Sequence, residues 1–143
     1  MDEIEVFTAQ WAERLAQALN ADTKFKEASG DWVGVLGLAM THGRAERRTT
    51  VLDLARGRCI RTCSGEDSLV PDYVIEAKEK RWREVFDGKL DPAWGLMSGK
   101  LRLSKGSVSE LISVATAALR IVECARTIPS IFPTDRSSAR TAW

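Results

Sequence analysis

Residues suited to covalent or acid–base chemistry are few in this chain. It holds one histidine, His42, and three cysteines, Cys59, Cys63 and Cys124. His42 stands in Thr41-His42-Gly43-Arg44, a turn sequence, and reads as an exposed turn residue rather than a general base. Cys59 and Cys63 lie four apart in a predicted strand, which puts them on one face. The extended chain between them spans about 13 Å, too long for a shared metal ion or a disulfide. Cys124 falls at the buried edge of a predicted helix. All three read as small core or edge residues rather than reactive thiols. No serine occupies a G-x-S-x-G elbow, and no two carboxylates share an apolar setting that would split their pKa values. Gly34 and Gly37 lie inside a strand, not at the strand-to-helix turn of a phosphate loop. The expectation is no catalytic residue, no metal and no cofactor.

The one charge feature is a run of arginines. Arg44, Arg47, Arg48, Arg56, Arg58 and Arg61 crowd into consecutive predicted hairpin strands. They read as a solvated outer face balanced by Glu46, Asp53, Glu66 and Asp67. The functional alternative is a patch for anionic lipid headgroups or an acyl-CoA phosphate. No aromatic residues interleave with them, so nucleic acid is not an expected partner. The net charge of +1 gives no bulk attraction to polyanions. A length of 143 residues fits one domain, and 44% hydrophobic with 29% charged residues fits a soluble globular one. No apolar run is long enough to span a bilayer. The acidic start Met1-Asp2-Glu3 is unlike a signal peptide, and an odd, low cysteine count suits reduced thiols. A cytoplasmic location is expected.

These side chains are positioned by a recognisable succession of elements. Residues 2–20 read as an amphipathic helix, with Ile4, Phe7, Trp11, Leu15, Ala18 and Leu19 on one stripe and Asp2 with Glu5 as a capping box. A short helix follows over 22–29. Residues 31–40 read as a strand that is apolar or Gly on both faces, hence central in its sheet. Strands follow at 47–54, 59–63 and 72–77, the first two joined by a tight turn at Gly57. Residues 78–86 read as a helix with Trp82, Val85 and Phe86 on one side. Ser107-x-x-Glu110 reads as a capping box that opens one long final helix. Its apolar face runs through Leu111, Ala115 and Leu119 and stops before Pro129. Helices and strands in this order imply an α+β fold of two layers, with a five-stranded, largely antiparallel sheet and helices on one face. Residues 1–128 would form the domain and 129–143 a C-terminal tail, flexible or covering the site with Phe132 or Trp143.

The densest local signal is F-D-G-K-L-D-P-A-W-G-L-M-S-G-K-L-R-L over residues 86–103. Gly88 suits a helix C-cap, Asp91 and Pro92 suit the N-cap and first turn of a new helix, and Gly99 suits its end. Lys100-Leu101-Arg102-Leu103 then alternates like a strand. Trp94, Leu96 and Met97 are too many large apolar groups for an exposed turn, and Trp and Met are adaptable cavity linings.

Gly88, Leu90, Pro92, Ala93, Gly99, Lys100 and Leu101 match a family pattern, and from there the chain resembles the sterol carrier protein domain of nonspecific lipid-transfer proteins. The resemblance extends over roughly residues 6–128. It implies an apolar tunnel between the sheet and helix layers, and non-catalytic binding or transfer of a fatty acid, acyl-CoA, sterol or phospholipid. Transient membrane contact is compatible with that role. The expected ligand-binding residues are Trp11, Trp32, Trp82, Phe86, Leu90, Trp94, Met97, Leu111, Ala115 and Leu119. An ordinary packed core is the competing reading of this apolar set. An accessory domain that assembles with, or feeds substrate to, a lipid- or steroid-metabolising enzyme is the functional alternative. An enzyme on a lipid-like substrate would need His42 and a cysteine together in a pocket. The chain departs from the family in ending Thr141-Ala142-Trp143 rather than in an S-K-L-type signal, and in lacking an acidic residue after Gly106.

Overall fold

The computed structural model describes residues 3–42, 46–65 and 69–133. Asp2, Gly43, Arg44, Glu66, Asp67 and Trp143, which figure in the expectations above, lie outside them.

The described chain begins with β1 (Ile4–Glu5), α1 (Ala9–Asn20) and α2 (Thr23–Ser29). Three hairpin-joined strands follow: β2 (Val33–His42), β3 (Glu46–Ala55) and β4 (Arg58–Ser64). Then come β5 (Tyr73–Lys78), α3 (Glu79–Phe86), α4 (Pro92–Ser98) and β6 (Arg102–Lys105). The chain closes with α5 (Val108–Ser113), α6 (Ala115–Arg126) and β7 (Ser130–Ile131).

The main sheet has the order β4-β3-β2-β5-β6, so the strand that is apolar on both sides is its centre. Three of its four pairings are antiparallel, and β2 with β5 is parallel. Leu36, Leu38 and Met40 of β2 face the helices together with Leu52, Leu54, Ile75 and Ala77, in one continuous core. Against that core, α6 touches each of the other five helices. On the far face, Gly37 admits Pro71 and Val74 so closely that a Cβ there would lie 3.2 Å from Val74 Cγ2. Beside them Glu76 pairs with Arg47 at 3.1 Å and with Arg102 at 2.6 Å.

The N-terminal helix is shorter than its apolar stripe suggests. Residues Ile4–Glu5 pair with Ser130–Ile131 in a parallel two-stranded ribbon. Phe7 then turns with φ 58°, and Thr8 caps α1 by accepting from the Trp11 amide, so the helix starts at Ala9 and not at residue 2. A buried aromatic in left-handed backbone is unfavourable by about 1–2 kcal/mol. The offset is packing: the Phe7 ring meets Trp11 and Trp82 edge-on at 4.9 and 5.5 Å. Arg48 ties this segment down by donating to the Val6 carbonyl and to Glu5.

The single final helix is in fact two. Val114, with φ −119° and ψ 20°, breaks it between α5 and α6. Ser107 occupies the N-cap of α5 without a side-chain capping bond, and Glu110 instead accepts from the Tyr73 hydroxyl at 3.3 Å. Past α6, residues 129–133 pack on the domain, with Phe132 buried against Phe86 at 5.8 Å.

The two strand cysteines do not share a face. A bulge at Ile60 shifts the β3–β4 register, so Cys59 opposes Leu54 and Cys63 opposes Val51. One extra residue inverts the side-chain alternation beyond it. Asn20 holds the bulge from α1, accepting from the Cys59 amide at 2.7 Å and donating to its carbonyl at 3.1 Å.

Candidate functional site

The motif segment folds as its residues dictate. The Asp91 carboxylate accepts from the Trp94 amide, Pro92 fills the first helical turn, and Gly99 closes α4 in the left-handed region. Gly95 is buried where α4 crosses Leu101, and a Cβ there would lie 2.8 Å from Leu101 Cγ. That close crossing seats α4 as a flap over the edge of the sheet. Its Leu101 amide bonds back to the Gly95 carbonyl at 2.9 Å.

Under this flap lies an apolar cavity of about 530 Å³, open to solvent along one side. It falls within the ~300–1,000 Å³ usual for ligand sites. Ile75 and Leu103 form its floor, and Trp82 of α3 is part of its wall. Leu96 and Met97 come from α4, and Leu111 and Ile112 from α5. The break at Val114 lets α5 diverge from α6, and Ala115, Ala118 and Leu119 line the space beside it. Arg102 borders the cavity through β6, but its guanidinium turns to Glu76 on the far face of the sheet.

Of the residues singled out in the sequence, Trp82, Met97, Leu111, Ala115 and Leu119 are brought together in this wall. The other five are elsewhere. Trp11 is fully buried, donates from its indole N–H to Ser130 Oγ and stacks on Phe86. Phe86 sits between Trp11 and Phe132. Leu90 packs in the core and Trp32 lies over Gly34 at the start of β2. Trp94 is solvent-exposed on α4 and outside the wall. Apolar periodicity marks burial and does not separate core from cavity, so Trp11, Trp32, Phe86 and Leu90 read like the wall residues, whereas Trp94 is exposed, against the expectation that the large apolar groups of α4 are covered. Ile75 and Leu103, wall residues outside the expected ligand-binding set, carry only the ordinary alternation of a strand, and Leu101, which matches the family pattern, reaches the wall from just before β6.

The candidate chemical groups lie apart from the cavity. His42 Nδ1 is 3.0 Å from the buried Glu79 carboxylate, which also faces Arg83. Burial pushes the Cys59 thiol up to about 12 and the Cys124 thiol up to about 11. Among the described residues no cluster of His, Cys, Asp and Glu could hold a metal ion. The described arginines of the hairpin are largely engaged: Arg47 with Glu76, Arg48 with Glu46 and Glu5, and Arg61 with Asp53.

No protein-family model matches the chain, and no curated protein does. Solved structures do. A crystal structure of sterol carrier protein 2 is 36% identical with a TM-score of 0.80, over 87% of this chain and 99% of that one. The solution structure of a conserved hypothetical protein from Thermus thermophilus, described as possibly a sterol carrier protein, is 34% identical with a TM-score of 0.79, over 94% and 96%. The palmitated sterol carrier protein 2-like 2 of Aedes aegypti shares the fold at 17% identity and a TM-score of 0.58, over 81% and 95%. A five-stranded sheet, the flap seated on Gly95 and over a third of the residues held in common across nearly the whole of a relative lead to one assignment: the chain belongs to the sterol carrier protein 2 family.

Proposed function

We propose that the protein binds a hydrophobic lipid, and passes it on, through the cavity between α4, α5, α6 and the β5–β6 edge. The supporting observation is the wall itself, about 530 Å³ of space with apolar side chains on every bounding element. Among the described residues no charged side chain is directed into it, because Arg102 is turned away to Glu76. The hydrocarbon of a fatty acid, acyl-CoA, sterol or phospholipid enters, and its polar head stays at the open side. Each buried methylene contributes about 0.8 kcal/mol, so ten of them supply about 8 kcal/mol, from which ordering costs subtract several. Modest affinity and broad selectivity follow, since an apolar wall separates ligands by a methylene only weakly. Chemistry on the ligand is not part of this role: His42 and the cysteines stand outside the wall.

Native mass spectrometry of protein purified without detergent tests the reading, together with titration of a fluorescent fatty acid. Co-purified lipid or saturable, competable binding is the expected result. A bare protein mass with no saturable binding would overturn it.

A further inference from the structure

Exposure along the cavity wall falls from the mouth to the interior. Met97 is 79% exposed and Ile112 67%, whereas Leu111 and Ile75 are each 5% exposed and Trp82 has no exposed surface. Trp82 therefore stands at the closed end. Among the described residues it is the one aromatic side chain in the wall.

Trp82 is fixed in that place by its neighbours. Its indole N–H donates to the Ala39 carbonyl of β2 at 2.9 Å, inside the core. Phe7 meets its ring edge-on at 5.5 Å, and Phe86 packs tilted against it at 6.0 Å. Neither of those two rings reaches the cavity. Behind them the aromatic cluster continues through Trp11 and Phe132. Trp82 is thus a partition, with open apolar space on one side and packed rings on the other. Turning it aside would leave a buried donor unpaired and would open gaps against both rings.

We infer that Trp82 is the chain-length stop of the lipid site: the terminal methyl of a fatty acid reaches its ring, and carbons beyond that limit stay at the mouth in water. This rests on the proposed lipid-binding role, with the polar head at the open side, and adds the residue that sets which chain lengths are held best. Each methylene buried short of the stop strengthens binding by up to about fourfold. Methylenes past it remain hydrated and add nothing. Affinity therefore climbs with chain length and then breaks, at a length fixed by the Trp82 ring.

The test is competition of saturated fatty acids, from octanoic to eicosanoic, against a fluorescent fatty acid on the full chain and on Trp82→Phe, Trp82→Leu and Phe25→Leu. Phenylalanine keeps a ring against Phe7 and Phe86 and vacates the rest of the indole. The break should move to longer chains in Trp82→Phe, and an acid two carbons past the parent's break should bind that variant roughly tenfold more tightly than the parent. Trp82→Leu should move the break at least as far. Phe25 is buried in the core outside the wall, so Phe25→Leu should keep the parent's break. A cooperatively melting Trp82→Phe with the parent's break, or an equal shift in Phe25→Leu, would overturn the assignment and leave lipid binding standing. A parent that binds no acid of any length would overturn the lipid-binding role and the stop together. The parent also gives a readout that needs no substitution. In its saturated complex with palmitate, a nuclear Overhauser effect is expected between the terminal methyl and the Trp82 ring. Its absence, or a contact from the carbon beside the carboxylate in its place, would overturn the stop even where the variants fail to fold.

Discussion

The Asp22 carboxylate caps α2 through the Phe25 amide at 2.7 Å and receives Arg120 of α6 on both oxygens, at 2.8 and 2.7 Å. Hydrogen bonds from Arg120 are the main reason it titrates at about 2 rather than 3.8. Its folded pKa lies below its unfolded one, so the contribution is present above about pH 4 and is lost as pH falls through about 2. The side chains are only 16% and 25% exposed, so solvent screening removes part of the effect, leaving about 1–2 kcal/mol. Unfolding free energies of the parent and Asp22→Asn, from urea titrations, should differ by that amount at pH 7 and converge near pH 2. A gap that does not narrow on acidification would show that the cap matters and the ion pair does not. The thiols give a second prediction at this scale. Cys59 and Cys124 are buried and held protonated up to about 12 and about 11, whereas Cys63 is partly exposed. Alkylation of native protein at pH 8, followed by peptide mass mapping, should label Cys63 first. Equal labelling of Cys59 would mean that the bulge clamped by Asn20 opens readily.

At the level of elements, α4 depends on the absence of a side chain at Gly95. Alanine normally favours a helix over glycine by about 1 kcal/mol. Here the new Cβ would lie 2.8 Å from Leu101 Cγ, in a side chain that is itself buried. Overpacking of this kind costs about 1–3 kcal/mol. Gly95→Ala should therefore lower the melting temperature and raise α4 off the sheet edge, and a higher melting temperature would show that the crossing is loose. The ends of α4 were legible in the sequence because Asp91, Pro92 and Gly99 act through local backbone geometry. The central place of β2 was legible for a similar reason, since a strand apolar on both faces has to be covered on both. The start of α1 was not. Its apolar stripe continues through Ile4 and Phe7 although the chain leaves the helix there, because those residues are buried by a ribbon with Ser130–Ile131 about 125 residues away. The break at Val114 was likewise hidden: a β-branched residue is ordinary inside a helix, and the divergence of α5 is a property of what it packs on.

For the whole molecule, the question is whether the space between the layers is used or merely tolerated. A cavity of about 530 Å³ withholds packing from a domain of only 143 residues, and unfilled apolar volume is destabilising in rough proportion to its size. Half of the residues singled out as ligand-binding lie in its wall, because periodicity identifies the apolar faces and only their three-dimensional divergence leaves space between them. Filling the space separates use from tolerance. Ala115, at the start of α6, lines the cavity and is only partly buried, so a larger side chain there has room to turn inward. Ala115→Trp places an indole where the ligand chain is proposed to lie. Added apolar burial should leave the melting temperature unchanged or raise it. Affinity for a long-chain fluorescent fatty acid should fall by about tenfold or more, a loss of about 1.4 kcal/mol, with shorter chains affected less. A folded Ala115→Trp protein that binds the long chain as tightly as the parent would place the ligand elsewhere, and the cavity would then be a packing defect of the family fold rather than its binding site.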